Sequence, residues 1–162
     1  MKTIIAIQAS DNKGKTTAIG CIAKHFPMSQ VKYFDYKSGK EITHTIGRMV
    51  LCRGVYKSGN RETFVGISSE GDYRPIVDQA FAAITDNGKT DVEVIVTACR
   101  TKFGTVDAIK DFAREHGYNV IWTSLYHGVN TENIKTPKLS DSVDLNEIFA
   151  ENITNLIKKL LS

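Results

Sequence analysis

Thr3-Ile4-Ile5-Ala6-Ile7, followed by Ala9-Ser10-Asp11-Asn12-Lys13-Gly14-Lys15-Thr16, is the stretch on which the reading of this chain turns. The apolar run reads as a buried strand. A small residue, four variable positions and Gly-Lys-Thr follow, and helical periodicity begins after them. Strand, glycine-containing loop and helix, in that order, build a cradle for phosphate. Backbone N–H groups from Asn12 and Lys13 through Thr17 curl around the anion, and the helix N-terminus adds partial positive charge. Gly14 lets the backbone approach without a Cβ in the way. Lys15 reaches the β and γ oxygens of a nucleotide, and the Thr16 hydroxyl is placed to ligate Mg²⁺. The bland alternative is an ordinary strand-to-helix turn with a helix-capping Ser or Asp. The pattern arises by composition in roughly one percent of chains this long, so the phosphate reading is preferred.

On these residues, from Thr3 to about His25, the chain resembles the P-loop NTPase superfamily. It is also similar to small bacterial P-loop ATP-binding proteins. The resemblance implies a nucleoside triphosphate, ATP by preference, as ligand or substrate, and Mg²⁺ as cofactor. Ala9 stands where the family usually has Gly, a mild departure. The rest of the chain is compatible in layout and carries no second strong family motif.

The bulk properties agree with a single nucleotide-binding domain over residues 1–162. That length buries a core without disulfides or metals. The apolar and charged fractions of 41% and 24% are ordinary. The net charge of +3 is mild, and the basic residues are scattered, so nucleic acid is not expected as a partner. Cys21, Cys52 and Cys99 are far apart, without metal-ligand spacing, and read as reduced, buried thiols. The N-terminal apolar run is too short for a leader, and no window reaches the length of a membrane span. A cytoplasmic protein without membrane contact is expected.

Along the chain, strands alternate with helices. Strands are expected at Thr3 to Ala9, Val31 to Tyr36, Arg48 to Tyr56, Glu62 to Ser68, Val92 to Ala98 and Tyr118 to Leu125. Helices are expected from Gly14 to Lys24, Tyr73 to Thr85, Thr105 to Gly117 and across the C-terminal stripe Leu145 to Leu161. Thr105 reads as an N-cap, and Asp144 with Glu147 as a capping box. Lys37 to Thr45 and His127 to Ser142 read as polar loops. The C-terminal stripe reads as docked on the core, with a membrane-surface helix as the lesser alternative. Alternation of this kind predicts an α/β fold: a mostly parallel sheet with helices on both faces, in a P-loop-like three-layer sandwich. The Arg48 to Ser68 hairpin would add one antiparallel strand at an edge. Ligands in such sheets bind at the carboxyl ends of the strands.

That rule selects the remaining candidates. Phe64 to Asp72 follows a hairpin and precedes a helix, as does the γ-phosphate-sensing turn of small GTPases. Ser68 takes the position of the expected Asp, so Glu70 or Asp72 must supply the charge. The strand ending at Ser68 is expected beside the first strand, with both carboxylates on the edge of Thr16. The alternative for these residues is a solvated loop with Asp72 capping the next helix. Arg100 leaves a strand at the same edge, where a guanidinium can clamp phosphate or stack on a base; a structural ion pair is the alternative. Asp35 is the reserve acid. His25 and His116 read as charges at helix ends.

Lys15, with Glu70 or Asp72, then forms the catalytic set. Asn12, Lys13, Gly14, Lys15, Thr16, Thr17 and Arg100 form the nucleotide site, and Thr16 the metal ligand. The resulting expectation is Mg-dependent NTP binding with hydrolysis or phosphoryl transfer. A nucleotide-dependent switch that acts on a protein partner, with little turnover, is the second reading. The third is a small-GTPase-like protein, disfavoured because Thr97 to Lys102 offers no carboxylate to read guanine.

Overall fold

The apolar runs form strands because their β-branched residues alternate between two buried faces of one sheet. A computed structural model describes residues 1–8, 15–125 and 145–162. Expectations on Ala9 to Gly14, which include Asn12, Lys13 and Gly14, on the loop from His127 to Ser142 and on Asp144 lie outside the described residues. In chain order the elements are β1 (Thr3–Gln8), α1 (Lys15–His25), β2 (Ser29–Phe34), β3 (Glu41–Ile42), β4 (Leu51–Ser58) and β5 (Arg61–Ser68). They continue with α2 (Arg74–Ile84), β6 (Val92–Cys99), α3 (Thr105–His116), β7 (Asn119–Ser124) and α4 (Leu145–Leu160).

The seven strands form one mixed sheet in the order β3-β2-β4-β5-β6-β1-β7. β5, β6, β1 and β7 run parallel, while β4 and β3 are antiparallel to their neighbours. The fold is therefore α/β, as its alternating elements require. Two expectations need correction. The β4–β5 hairpin is not at an edge, because β2 pairs with the outer side of β4. That pairing places β4 inside the sheet, and its first five residues are all buried. The strand ending at Ser68 does not lie beside β1 either, because β6 separates the two. Part of the expected polar loop after Tyr36 forms the short edge strand β3.

The pleat divides the core. Ile5 and Ile7 face Ile19 and Ile22 of α1 and Phe149, Ile153 and Ile157 of α4. Ile4 and Ala6 face Val77 and Phe81 of α2 and Ile109 of α3. Full burial of an Ile side chain contributes about 1.5–3 kcal/mol, so β1 at the centre anchors both layers. The C-terminal stripe docks on α1, as expected, although Ile148 stays partly exposed.

The α3 N-terminus differs from expectation. Its N-cap is Gly104, at φ 72°. The Thr105 hydroxyl is taken up elsewhere: it donates to the Arg100 carbonyl at 2.7 Å and accepts from the Arg100 N–H at 2.9 Å, closing the loop after β6. α2 is capped by Tyr73, so Asp72 is not its cap.

Candidate functional site

Strand register brings the site residues to one edge. Gln8 at the end of β1 is level with Cys99 of β6 and Ser124 of β7. Ser68 of β5 is level with Thr97 of β6. Four parallel carboxyl ends thus share one rim, and α1 begins on it.

Lys15 is the first residue of α1 and is 8% exposed. Its Nζ is fully buried and makes no hydrogen bond among the described residues. The nearest carboxylate is Asp72, with Oδ1 at 3.9 Å. Burial pushes the Lys15 ammonium below its ordinary range, against the pull of Asp72 and Glu70. Thr16 is next. Its hydroxyl lies 3.5 Å from Glu70 Oε1 as a long hydrogen bond. Thr17 is exposed, one residue further along the first turn. The N–H groups of such a turn have no acceptor within the helix.

Glu70 and Asp72 reach this point although β6 intervenes. The reason is Gly71. A Cβ there would overlap the Ala98 carbonyl and crowd the Cys99 nitrogen at the end of β6. Only glycine allows the β5–α2 segment to lie directly on the β6 backbone. The segment crosses the strand end and delivers its acids to α1.

Tyr36 holds the turn from below. Its hydroxyl accepts from the N–H groups of Ser69 at 2.9 Å and Glu70 at 3.1 Å. It donates to the Val50 carbonyl at 2.5 Å. Ser69 Oγ in turn accepts from the Val50 N–H at 2.8 Å. Burial pushes the Tyr36 phenol up to about 12. Glu70 is also raised, first by desolvation and then by Asp72 beside it, while Thr16 and Lys15 oppose the shift.

Arg100 closes the far side. Its Nε is 3.3 Å from Asp72 Oδ1, and its guanidinium lies over the Phe103 ring at 5.6 Å. Phe103 stands at φ 61°, a left-handed conformation rarely held by a bulky residue. It stacks on Tyr73 at 5.4 Å. Two cations and two carboxylates therefore interleave: Lys15 and Arg100 share Asp72, while Thr16 engages Glu70. Among the described residues no group of three or more His, Cys, Asp and Glu could hold a metal ion. Oxygen donors next to α1 include the Thr16 hydroxyl and the Glu70 and Asp72 carboxylates.

Of the expected site residues, Lys15, Thr16, Glu70, Asp72 and Arg100 come together. Asp35 does not join them; its carboxylate accepts from Lys37 N–H and Ser38 Oγ, each at 3.0 Å, in the turn after β2. His25 lies at a helix end, as expected. From the last turn of α1 it also bonds Glu147 of α4, a partner distant in sequence. Sequence reasoning missed Tyr36 and the packing role of Gly71. A glycine flanked by acids just after a strand was the available signal for Gly71. Tyr36 offered none, since its hydrogen-bond partners come from two later elements.

Comparison of the chain with protein-family models, with curated proteins and with solved structures finds no match in any of the three. No described helix is long and apolar enough to cross a membrane.

Proposed function

We propose that this protein binds a nucleoside triphosphate, ATP by preference, with Mg²⁺ at the α1 rim, and hydrolyses it or transfers its terminal phosphoryl group. In this reading the fold is a P-loop-type sandwich. The observation that carries the reading is Lys15, a buried ammonium without a hydrogen-bond acceptor among the described residues. A buried cation needs a counter-charge, and among the described residues the nearest carboxylate stands at 3.9 Å. Phosphate oxygens meet that need, and the first turn of α1 supplies further N–H donors.

The residues present also suit Mg²⁺. Thr16 would hold it, a hard-oxygen ligand of the kind that ion takes alongside water and phosphate. When bound, it supplies charge neutralisation on the phosphate oxygens. Lys15 binds and orients the β and γ oxygens and stabilises charge that develops on the transferred group. Glu70, whose affinity for a proton is raised, accepts a hydrogen bond from an attacking water or hydroxyl and takes its proton. Asp72 is held between Lys15 and Arg100 and keeps both cations aimed at the rim.

The second reading, a nucleotide-dependent switch, draws on one feature. An arriving phosphate competes with Asp72 for Lys15, and Asp72 belongs to the Gly71 turn that opens α2. Occupancy would then be felt by α2. Calorimetry with ATP and Mg²⁺, followed by a turnover assay, tests both. Binding with turnover supports the enzyme, binding without turnover supports the switch, and no binding overturns the proposal. Competition between ATP and GTP, repeated on Arg100→Ala, tests the lean to adenine; a strong preference for GTP would reverse it.

A further inference from the structure

A second charged site lies on the face of the sheet opposite α1. Arg53 is an interior residue of β4, only 8% exposed. Leu51, two residues earlier and on the same side of the pleat, packs with the α2 and α3 core. One Arg53 N–H is satisfied: Nη1 donates to the Ile84 carbonyl at 2.7 Å. The guanidinium is flanked by the rings of Phe34 and Phe64, at 5.6 and 5.5 Å. Among the described residues no carboxylate comes within ion-pair distance of it.

The residue directly opposite Arg53 on β2 is Lys32. Like charges facing across an antiparallel pair repel. Here one of the two is buried, where screening is weak. Both line a cavity of about 420 Å³ between the sheet and the C-terminal half of α2. Glu41, Gln79 and Asp86 line the same space. Glu41 is level with Phe34, one row along the sheet from the Lys32–Arg53 pair. Asp86 stands at φ 49°, in the left-handed region that non-glycine residues rarely enter. Lys32, Glu41 and Asp86 make no ion pair with one another, so the charges are spread around the cavity and leave it open.

We infer that this cavity is a binding site for a small polar molecule. Its carboxylate or phosphate would sit on the Lys32–Arg53 pair, and its amine or hydroxyl donors would face Glu41 and Asp86. A guanidinium fork beside an ammonium is a carboxylate and phosphate receptor.

The test uses the full chain in a Lys15→Ala background, which silences the proposed loop site. Inorganic phosphate and acetate are titrated separately at fixed ionic strength, with backbone amide shifts followed by NMR. Saturable shifts are expected at Lys32, Gly39, Arg53 and Asn87. Lys32→Ala should weaken binding about fivefold, the scale of one exposed, screened charge contact, and Arg53→Gln should abolish it. Tighter phosphate assigns a phosphoryl ligand, and tighter acetate a carboxylate. Lys32 is exposed, so Lys32→Ala remains decisive if Arg53→Gln fails to fold. Shifts that do not saturate, that map elsewhere, or that survive Lys32→Ala unchanged would overturn the inference.

Discussion

Three residues decide whether the rim works: Lys15, Gly71 and Tyr36. Lys15→Ala removes the buried cation, and ATP affinity measured by calorimetry is expected to fall roughly 10- to 100-fold, the usual scale for a charged hydrogen bond. Gly71→Ala drives a methyl group into the β6 backbone. Overpacking of this kind costs about 1–3 kcal/mol, to be read from urea denaturation. Because the clash is with backbone, the turn must shift, and Glu70 should lose its contact with Thr16. Tyr36 carries a pH signature. Its folded pKa lies above the ordinary 10.0, at about 12. Below pH 10 it is neutral in both states and its contribution is complete. As pH rises from about 10 to 12 the unfolded chain ionises first, and that contribution is lost. Tyr36→Phe should cost about 1–3 kcal/mol at neutral pH by removing the acceptor of the Glu70 N–H, while the Ser69 N–H keeps the Val50 carbonyl. It should also flatten part of the alkaline decline in denaturation midpoint; an unchanged slope between pH 10 and 12 would exclude this role.

At the scale of elements, the pairing of α1 with α4 fixes the start of the site helix. Phe149, 1% exposed, fills the space between α4 and the sheet. Phe149→Ala should cost about 3–5 kcal/mol in chemical denaturation. The His25–Glu147 bridge joins the end of α1 to the start of α4, but both side chains are nearly half exposed. A double-mutant cycle should return no more than about 1 kcal/mol. Packing, then, and not the ion pair, holds α1 in place. On the other face, α2 and α3 are tied by Arg74 and Asp111 at 2.7 Å. The Arg74 N–H also donates to the Phe103 carbonyl at 3.3 Å. The loops that carry Asp72 and Arg100 are therefore held to each other.

Across the whole molecule, one sheet separates two cores that share β1, β4 and β6. Neither core can persist when those strands part. Unfolding is expected as a single transition, with far-UV circular dichroism and the fluorescence of Trp122 on β7 coincident. Phe81→Ala, in the α2–α3 core, and Phe149→Ala, in the α1–α4 core, should move that same transition. Separate midpoints for the two probes would show that the faces unfold independently. The sheet edges are modest: β3 is two residues long, and β7 alternates partly exposed positions. A short or interrupted edge limits strand addition by other chains.

The sequence by itself determined the α/β alternation, the hairpin centred on Gly59, the amphipathic helices and the candidate residues for the rim. These are local properties. Apolar period specifies strand or helix, and glycine and proline mark the ends. The rule that ligands gather at strand carboxyl ends then selected Lys15, Thr16, Glu70, Asp72 and Arg100, which meet, along with Asp35, which does not join them. Only the tertiary structure decided how they meet. Strand order is set by which hydrophobic faces pair across long separations, and periodicity carries no trace of it. For that reason β6 between β5 and β1, and β4 inside the sheet, were not legible. Gly71 bridging β6, Tyr36 beneath the acidic turn, Glu147 on His25 and Arg53 opposite Lys32 are likewise contacts between residues far apart in the chain. Each depends on register and on close backbone approach, which exist only once the sheet has formed.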